Sequence, residues 1–216
     1  HADGLTEEWS QDAAGRTTAH TTGIYTVTYS HSPGGRLELI DYTTGPDTTF
    51  SYDGDGRMTG MTDGTGTTTW TYDSADLTNF ASPNGSYAYT YDSFGRQKTS
   101  VESGVGTTTW NYHPSTGRLD SMVNPFNETF SWLYDGSGRV STKFLPNGLR
   151  EEYGYDGRSR LQTIAVKNAQ NQVLDSQELG WDDASRLTSR TRGSVTTSYG
   201  YDHADQLTSE TRPGYA

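Results

Sequence analysis

The residues with most chemical potential in this chain recur together. An aromatic is followed at once by Asp, and four positions after the Asp stands Arg, with Gly just before it. Full sets are Tyr52, Asp53, Gly56 and Arg57; Tyr91, Asp92, Gly95 and Arg96; and Tyr134, Asp135, Gly138 and Arg139. Reduced sets are Tyr72 with Asp73; Tyr112 with Gly117 and Arg118; Tyr155 with Asp156 and Arg160; Trp181 with Asp182 and Arg186; and Tyr201 with Asp202. Carboxylate and guanidinium at this spacing make either an ion pair or a row of anion sites, and the aromatics offer flat faces with a polar handle, as sugars require. A ligand row of Arg16, Arg36, Arg57, Arg96, Arg118, Arg139, Arg160 and Arg186 competes with pairing to Asp at turns and stacking along neighbouring repeats. Such regular slots favour packing over one binding site. The off-pattern aromatics Tyr25, Tyr42, Phe80, Tyr87 and Phe126 are the better surface candidates.

Other chemistry is thin. Asp53-Gly54-Asp55-Gly56 resembles the start of a calcium loop, but the twelfth position from Asp53 is Gly64, where such a loop needs a bidentate Glu. His20, His31, His113 and His203 stand singly, mostly at turn positions, without ligand spacing; no nucleophile elbow, P-loop or dinucleotide fingerprint accompanies them. Cysteine is absent, which removes disulfides and thiolate chemistry. With 27 acids, carboxylate pairs of a glycosidase arise by chance. Asn84-Gly85-Ser86 and Asn127-Glu128-Thr129 are glycosylation sequons by pattern. The expectation is a non-enzymatic protein with no catalytic residue, cofactor or metal.

The elements that position these residues follow from the period. The slot of the second aromatic falls at 11, 31, 52, 72, 91, 112, 134, 155, 181 and 201, a repeat of about 21 residues with one longer interval holding VKNAQNQVLDSQ, read as an extended hairpin tip. Aromatics at i and i+2 share one face of a strand, as in Phe50 with Tyr52 or Trp132 with Tyr134. The D-x-x-G step reads as a type I turn followed by a left-handed Gly, a hairpin with a bulge. That register sets Tyr52 opposite Met58, Tyr134 opposite Val140 and Tyr155 opposite Leu161. Asp205 is tolerable in place of the Gly, whereas Ser159 and Ser185 are less comfortable. Second turns fall at TTGP from 43, DGTG from 63, PNG from 83, SGVG from 103, PNG from 146 and RGS from 192. The expected fold is all-β: about ten two-stranded units, antiparallel throughout, in one strongly curved or spiral sheet spanning 1–216 as a single array.

Composition agrees and excludes much else. The chain has 216 residues, a net charge of -11, 12% aromatics, 25 Gly, 34 Thr and 22 Ser. Leu, Ile, Val and Phe make up only about 14%, a level that with high charge permits disorder, yet disordered segments lack the 15 Tyr and 5 Trp found here. The acidic balance argues against nucleic acid, and no apolar run is long enough for membrane insertion. No signal peptide opens the sequence, and His1 is consistent with a tag remnant.

YDGDGR, YDSFGR, YDGSGR and YHPSTGRL resemble the repeats of the Rhs/YD-repeat family, which includes bacterial Rhs proteins, the B and C components of Tc toxins and the teneurin ectodomains. The resemblance runs from about Trp9 to Tyr215. It implies a spiral of β-hairpins forming a hollow shell that encloses a C-terminal polypeptide, or an adhesive surface, and a secreted or cell-surface location. Implied partners are neighbouring repeats of a longer parent protein, an enclosed toxin-related polypeptide or a surface glycan, and a second copy joined edge to edge. The family's autoproteolytic Asp motif, plug and cargo domain have no counterpart in this sequence, so cleavage and toxicity do not carry over.

Overall fold

The structure, a computed structural model, describes residues 6–214; His1 and Tyr215 lie outside the described residues. These residues are all-β. The strands are β1 Glu7–Gln11, β2 Thr17–Thr22, β3 Tyr25–His31, β4 Leu37–Tyr42, β5 Thr48–Tyr52, β6 Met58–Asp63, β7 Gly66–Asp73, β8 Asp76–Ser82, β9 Gly85–Tyr91 and β10 Gln97–Glu102. They continue as β11 Gly106–Tyr112, β12 Leu119–Val123, β13 Thr129–Tyr134, β14 Val140–Phe144, β15 Arg150–Tyr155, β16 Leu161–Lys167, β17 Val173–Trp181, β18 Leu187–Arg192, β19 Val195–Tyr201 and β20 Leu207–Thr211. The chain divides into two units, residues 1–107 and 108–216. In the first, β1 to β10 each pair antiparallel with the next strand. In the second, β11 to β20 do the same.

The register is the one that the bulged turn dictates. Tyr52 lies opposite Met58, Tyr134 opposite Val140 and Tyr155 opposite Leu161, each at a register shift. Alternation is plain in β7, where Trp70 and Tyr72 are half-buried and Thr67, Thr69 and Thr71 are exposed. β-Branched Thr suits that outer face, and Thr62 with Thr67 and Thr191 with Thr196 share hydroxyl hydrogen bonds of 2.9 Å across it. Among the described residues no hydrophobic side chain is buried, and Thr197 is the one buried polar residue.

The turns explain the glycines. In the turns that begin at Asp12, Ser32, Asp53, Asp92, Asp135, Asp156, Asp182 and Asp202 the amide of the first residue donates to the carbonyl of the fifth, and the amide of the fourth donates back to the carbonyl of the first, as in Asp53 with Arg57 and Gly56 with Asp53. The fourth residue must then take a positive φ, 86° at Gly56 and 84° at Gly138. Ser159 (65°), Ser185 (65°) and Asp205 (61°) take the same conformation despite their Cβ. The long interval adds strand rather than loop: β17 has nine residues, and only Asn168–Gln172 turn between it and β16.

Opposite substitutions should therefore move stability in opposite directions. Ser159→Gly relieves a left-handed serine and should raise stability by about 0.5–1 kcal/mol, whereas Gly138→Ala should cost about 1–2 kcal/mol. Denaturant midpoints at unchanged slope measure both.

Candidate functional site

The signature residues build one repeated device. Within a hairpin, Asp53 Oδ1 accepts from the amides of Asp55 (3.0 Å) and Arg57 (2.9 Å), while Oδ2 accepts from Arg57 Nε at 2.7 Å. One carboxylate thus closes the turn and holds the guanidinium. The same arrangement occurs at Asp12 with Arg16, Asp92 with Arg96, Asp135 with Arg139, Asp156 with Arg160 and Asp182 with Arg186.

Between hairpins the device becomes a clasp. The Tyr52 hydroxyl donates to the Leu37 carbonyl of the preceding repeat at 2.8 Å, and the Arg36 guanidinium lies 5.8 Å from its ring centroid. Tyr134 is held by Leu119 O and Arg118, Tyr155 by Val140 O and Arg139, and Tyr201 by Leu187 O and Arg186. Trp181 donates its Nε1 proton to Leu161 O at 2.7 Å beneath Arg160. Tyr91 bonds Leu77 O, and Arg57 sits 4.6 Å over Tyr72. Guanidinium η-nitrogens also reach turn carbonyls of the following repeat, Arg57 at Ser74, Arg160 at Asp182 and Arg186 at Asp202. Arg16, Arg57, Arg96, Arg139, Arg160 and Arg186 form the expected turn-proximal pairs, whereas Arg36 and Arg118 have no Asp in their turns; Arg16, Arg36, Arg57, Arg118, Arg139, Arg160 and Arg186 also span to the next repeat.

Some signature positions depart from the full device. Asp73 faces Asp76 across a two-residue turn with no Arg. His113 replaces Asp beside Arg118 in a longer turn closed by Gly117, and its ring nitrogen lies 3.2 Å from Ser115 Oγ. Asp202 accepts from the amides of Ala204 and Gln206 in a turn that ends on Gln206 rather than Arg, and Arg186 of the preceding repeat, besides holding Asp182, bonds Asp205. Tyr112 closes its hairpin opposite Leu119.

Three further turns use the same backbone pattern and were not singled out by the Asp–Arg spacing. Asn124 accepts from the amides of Phe126 and Glu128 and donates its own side-chain amide to Glu128. Asn168 does the same with Gln170 and Gln172, a neutral copy of the ion pair. Asn127 (φ 61°) and Asn171 (φ 66°) occupy the glycine position. The signal was present as N-x-x-N followed by Glu or Gln. Leu145–Leu149 is the third, with Gly148 in the left-handed position.

Of the off-pattern aromatics, Phe126 is 74% and Tyr25 58% exposed, and Tyr42 is also exposed. Phe80 and Tyr87 are half-buried and form a ring cluster with Trp70 and Tyr89, so they are packing residues rather than surface ones. His20 is not at a turn: it lies within β2 and stacks on Trp9 at 3.8 Å. Among the described residues no three His, Asp or Glu side chains gather as metal ligands.

Electrostatics follow from the clasp. Asp135 lies below the usual 3.8 through the Arg139 side-chain bond first, and Asp156 through the Arg160 amide first. At Asp53 desolvation is largest and works upward, but the Arg57 amide and guanidinium outweigh it. Burial raises the Tyr91 and Tyr134 phenols, which secures the proton that each donates.

Comparison with known proteins places this geometry. A family model described as Teneurin YD-shell matches residues 5–172, and one described as RHS Repeat matches residues 180–216. No curated protein matches. Among solved structures, the crystal structure of TcdB2-TccC3 is similar at 17% identity and a TM-score of 0.73 over 94% of this chain. The Photorhabdus luminescens Tc holotoxin pore is similar at 17% identity and a TM-score of 0.65 over 93% of it. At such identity the likeness is one of fold. The chain spans 12–13% of the length of these solved chains.

Two predictions test the clasp. Tyr134→Phe keeps the ring and removes only the bond to Leu119 O, and should cost about 1 kcal/mol by chemical denaturation. Asp12, Asp53, Asp92, Asp135, Asp156 and Asp182 bind protons less well folded than unfolded, so their stabilisation is present above pH ~4 and is lost as pH falls through and below that value. An unfolding midpoint recorded from pH 6 to 3 should fall, and Asp135→Asn should start lower and fall less steeply.

Proposed function

The chain belongs to the teneurin YD-shell family, and on that premise we propose that it is a structural wall segment of a hollow shell that encloses a polypeptide. The observation that carries this reading is the clasp: side chains that elsewhere perform chemistry are spent on joining each hairpin to the next. A wall needs such lateral cohesion and no cleft. Similarity to the TcdB2-TccC3 fold supports it, and a toxin-related polypeptide is the enclosed chain we favour, within a secreted or surface-displayed parent. The two units fit one continuous array over 1–216, because repeats that touch only their neighbours divide at any step.

A second reading, an adhesion surface for glycan or protein, draws on Phe126 and Tyr25, whose rings stand in solvent. Tyr42→Ala and Phe126→Ala should leave attachment to cells unchanged if the wall reading holds.

Protease protection tests the wall. In the full-length parent, the polypeptide enclosed by the array should survive a protease that digests it rapidly once the wall is loosened by combined Tyr134→Ala and Tyr155→Ala. Equal digestion with and without an intact array would remove the reading.

A further inference from the structure

The turns at the two ends of the strands share a backbone but not a chemistry. In the second unit, Asp135–Arg139, Asp156–Arg160 and Asp182–Arg186 are turns at one end, and Asn124–Glu128, Leu145–Leu149 and Asn168–Gln172 are turns at the other. All six make the same pair of backbone hydrogen bonds. The first three each hold an ion pair. The other three contain one charged residue among them, Glu128, whose carboxylate accepts from Asn124 Nδ2. Apolar side chains stand in solvent at this uncharged end. Phe126 is 74% exposed, Val173 and Leu174 at the start of β17 are 52% exposed, and Phe144 at the end of β14 is 38% exposed. Turn geometry is equal at both ends, so it does not account for the difference.

The uncharged end is also open between its turns. In the first unit, proline rings fill the space between neighbouring turns: a Cβ at Gly64 would overlap Pro46, and one at Gly66 would overlap Pro83. In the second unit a notch of about 500 Å³ remains between Asn127–Thr129 of one turn and Leu145–Gly148 of the next. A Cβ at Gly148 would meet nothing within 4 Å. A cavity of about 150 Å³ already holds benzene, so the notch admits an aromatic ring. The Phe126 ring stands in solvent beside the notch and is not part of its lining. A protruding ring next to a vacant notch is a self-complementary surface. Turned about a two-fold axis, each copy's ring meets the other copy's notch. Charge favours the same partner. With a net charge of -11, two copies repel, and they approach at least cost where acids are sparse, which is this end.

We propose that the uncharged end of the second unit is an interface at which two copies of this chain pair about a two-fold axis, each Phe126 seated in the other copy's notch. Sedimentation of the whole chain over a rising concentration series tests it. A monomer–dimer equilibrium that stops at the dimer is expected, because an isologous contact uses both surfaces at once. The dissociation constant should rise fivefold or more in Phe126→Ser, which removes the ring. It should rise as much in Thr129→Trp, which fills the notch from an exposed strand position that accepts an aromatic. It should stay unchanged in Phe94→Ser, a ring 79% exposed at an Asp–Arg turn. A second measurement needs no variant. In an equal mixture of isotope-labelled and unlabelled chain, filtered nuclear Overhauser effects should connect the Phe126 ring protons with Leu145 of the other copy. A monomer at every concentration, or growth past the dimer through the strand edges, would overturn the proposal. So would capture by phosphatidylcholine vesicles in place of dimerisation, an unchanged constant in Phe126→Ser, an equal effect of Phe94→Ser, or a dimer without the intermolecular signals.

Discussion

The absence of a buried apolar core is the constraint from which the rest follows. Among the described residues no hydrophobic side chain is fully covered. In a single layer of strands, an aromatic ring can lose contact with water only against its neighbours in the same layer. The clasp supplies those neighbours: a guanidinium over the ring and a carbonyl at its polar end, both from the preceding repeat. Hydrophobic burial is thereby replaced by many partial burials, each secured by a directional bond. The slot consequently selects for a donor at the far edge of a ring rather than for Tyr as such. Trp181 satisfies it through Nε1 where five neighbouring copies use a phenol hydroxyl. The aromatic two residues earlier has no such duty, and Phe50, Trp132 and Leu179 all serve there.

The turn obeys a similar economy. A five-residue bulged turn leaves two amides pointing inward, and any side-chain oxygen at its first position can accept them. Asp does so and also anchors Arg; Asn124 and Asn168 do so and anchor Glu128 or Gln172 through an amide instead. Charge is therefore dispensable for closing the turn. It is needed for presenting a guanidinium to the next repeat, which explains why the acidic form accompanies the turns next to signature aromatics.

Local spacing made the hairpins, their register and the left-handed positions legible, since each depends on residues within about ten of one another. Tyr52 opposite Met58 follows from counting across one turn. The clasp was not legible in the same way. Tyr134 and Leu119 lie 15 residues apart in sequence, and a period alone does not say whether a side chain serves its own repeat or the one before. The interval VKNAQNQVLDSQ reads as an extended tip because its turn carries Asn and Gln where the period carries Asp and Arg, and only the backbone reveals that Asn168–Gln172 share the turn pattern and that the rest is strand. Phe80 and Tyr87 looked like surface rings because they miss the period, yet adjacent strands bring them together with Trp70 and Tyr89.

The clasp also links substitutions in successive repeats. Where Asp is replaced by Ser32 or His113, no carboxylate in the turn restrains Arg36 or Arg118, and each guanidinium lies against the turn glycine of the next repeat. A Cβ at Gly56 or Gly138 would overlap that guanidinium. Where Asp135, Asp156 and Asp182 hold Arg139, Arg160 and Arg186 by Nε, the following turns carry Ser159, Ser185 and Asp205 in the glycine position. The strain of a left-handed side chain is the same in both groups, so backbone conformation alone does not separate them. What separates them is the space the preceding arginine occupies. Loss of the acid in one repeat thus removes the freedom of the next to depart from glycine, and the two positions are coupled through a side chain that belongs to neither.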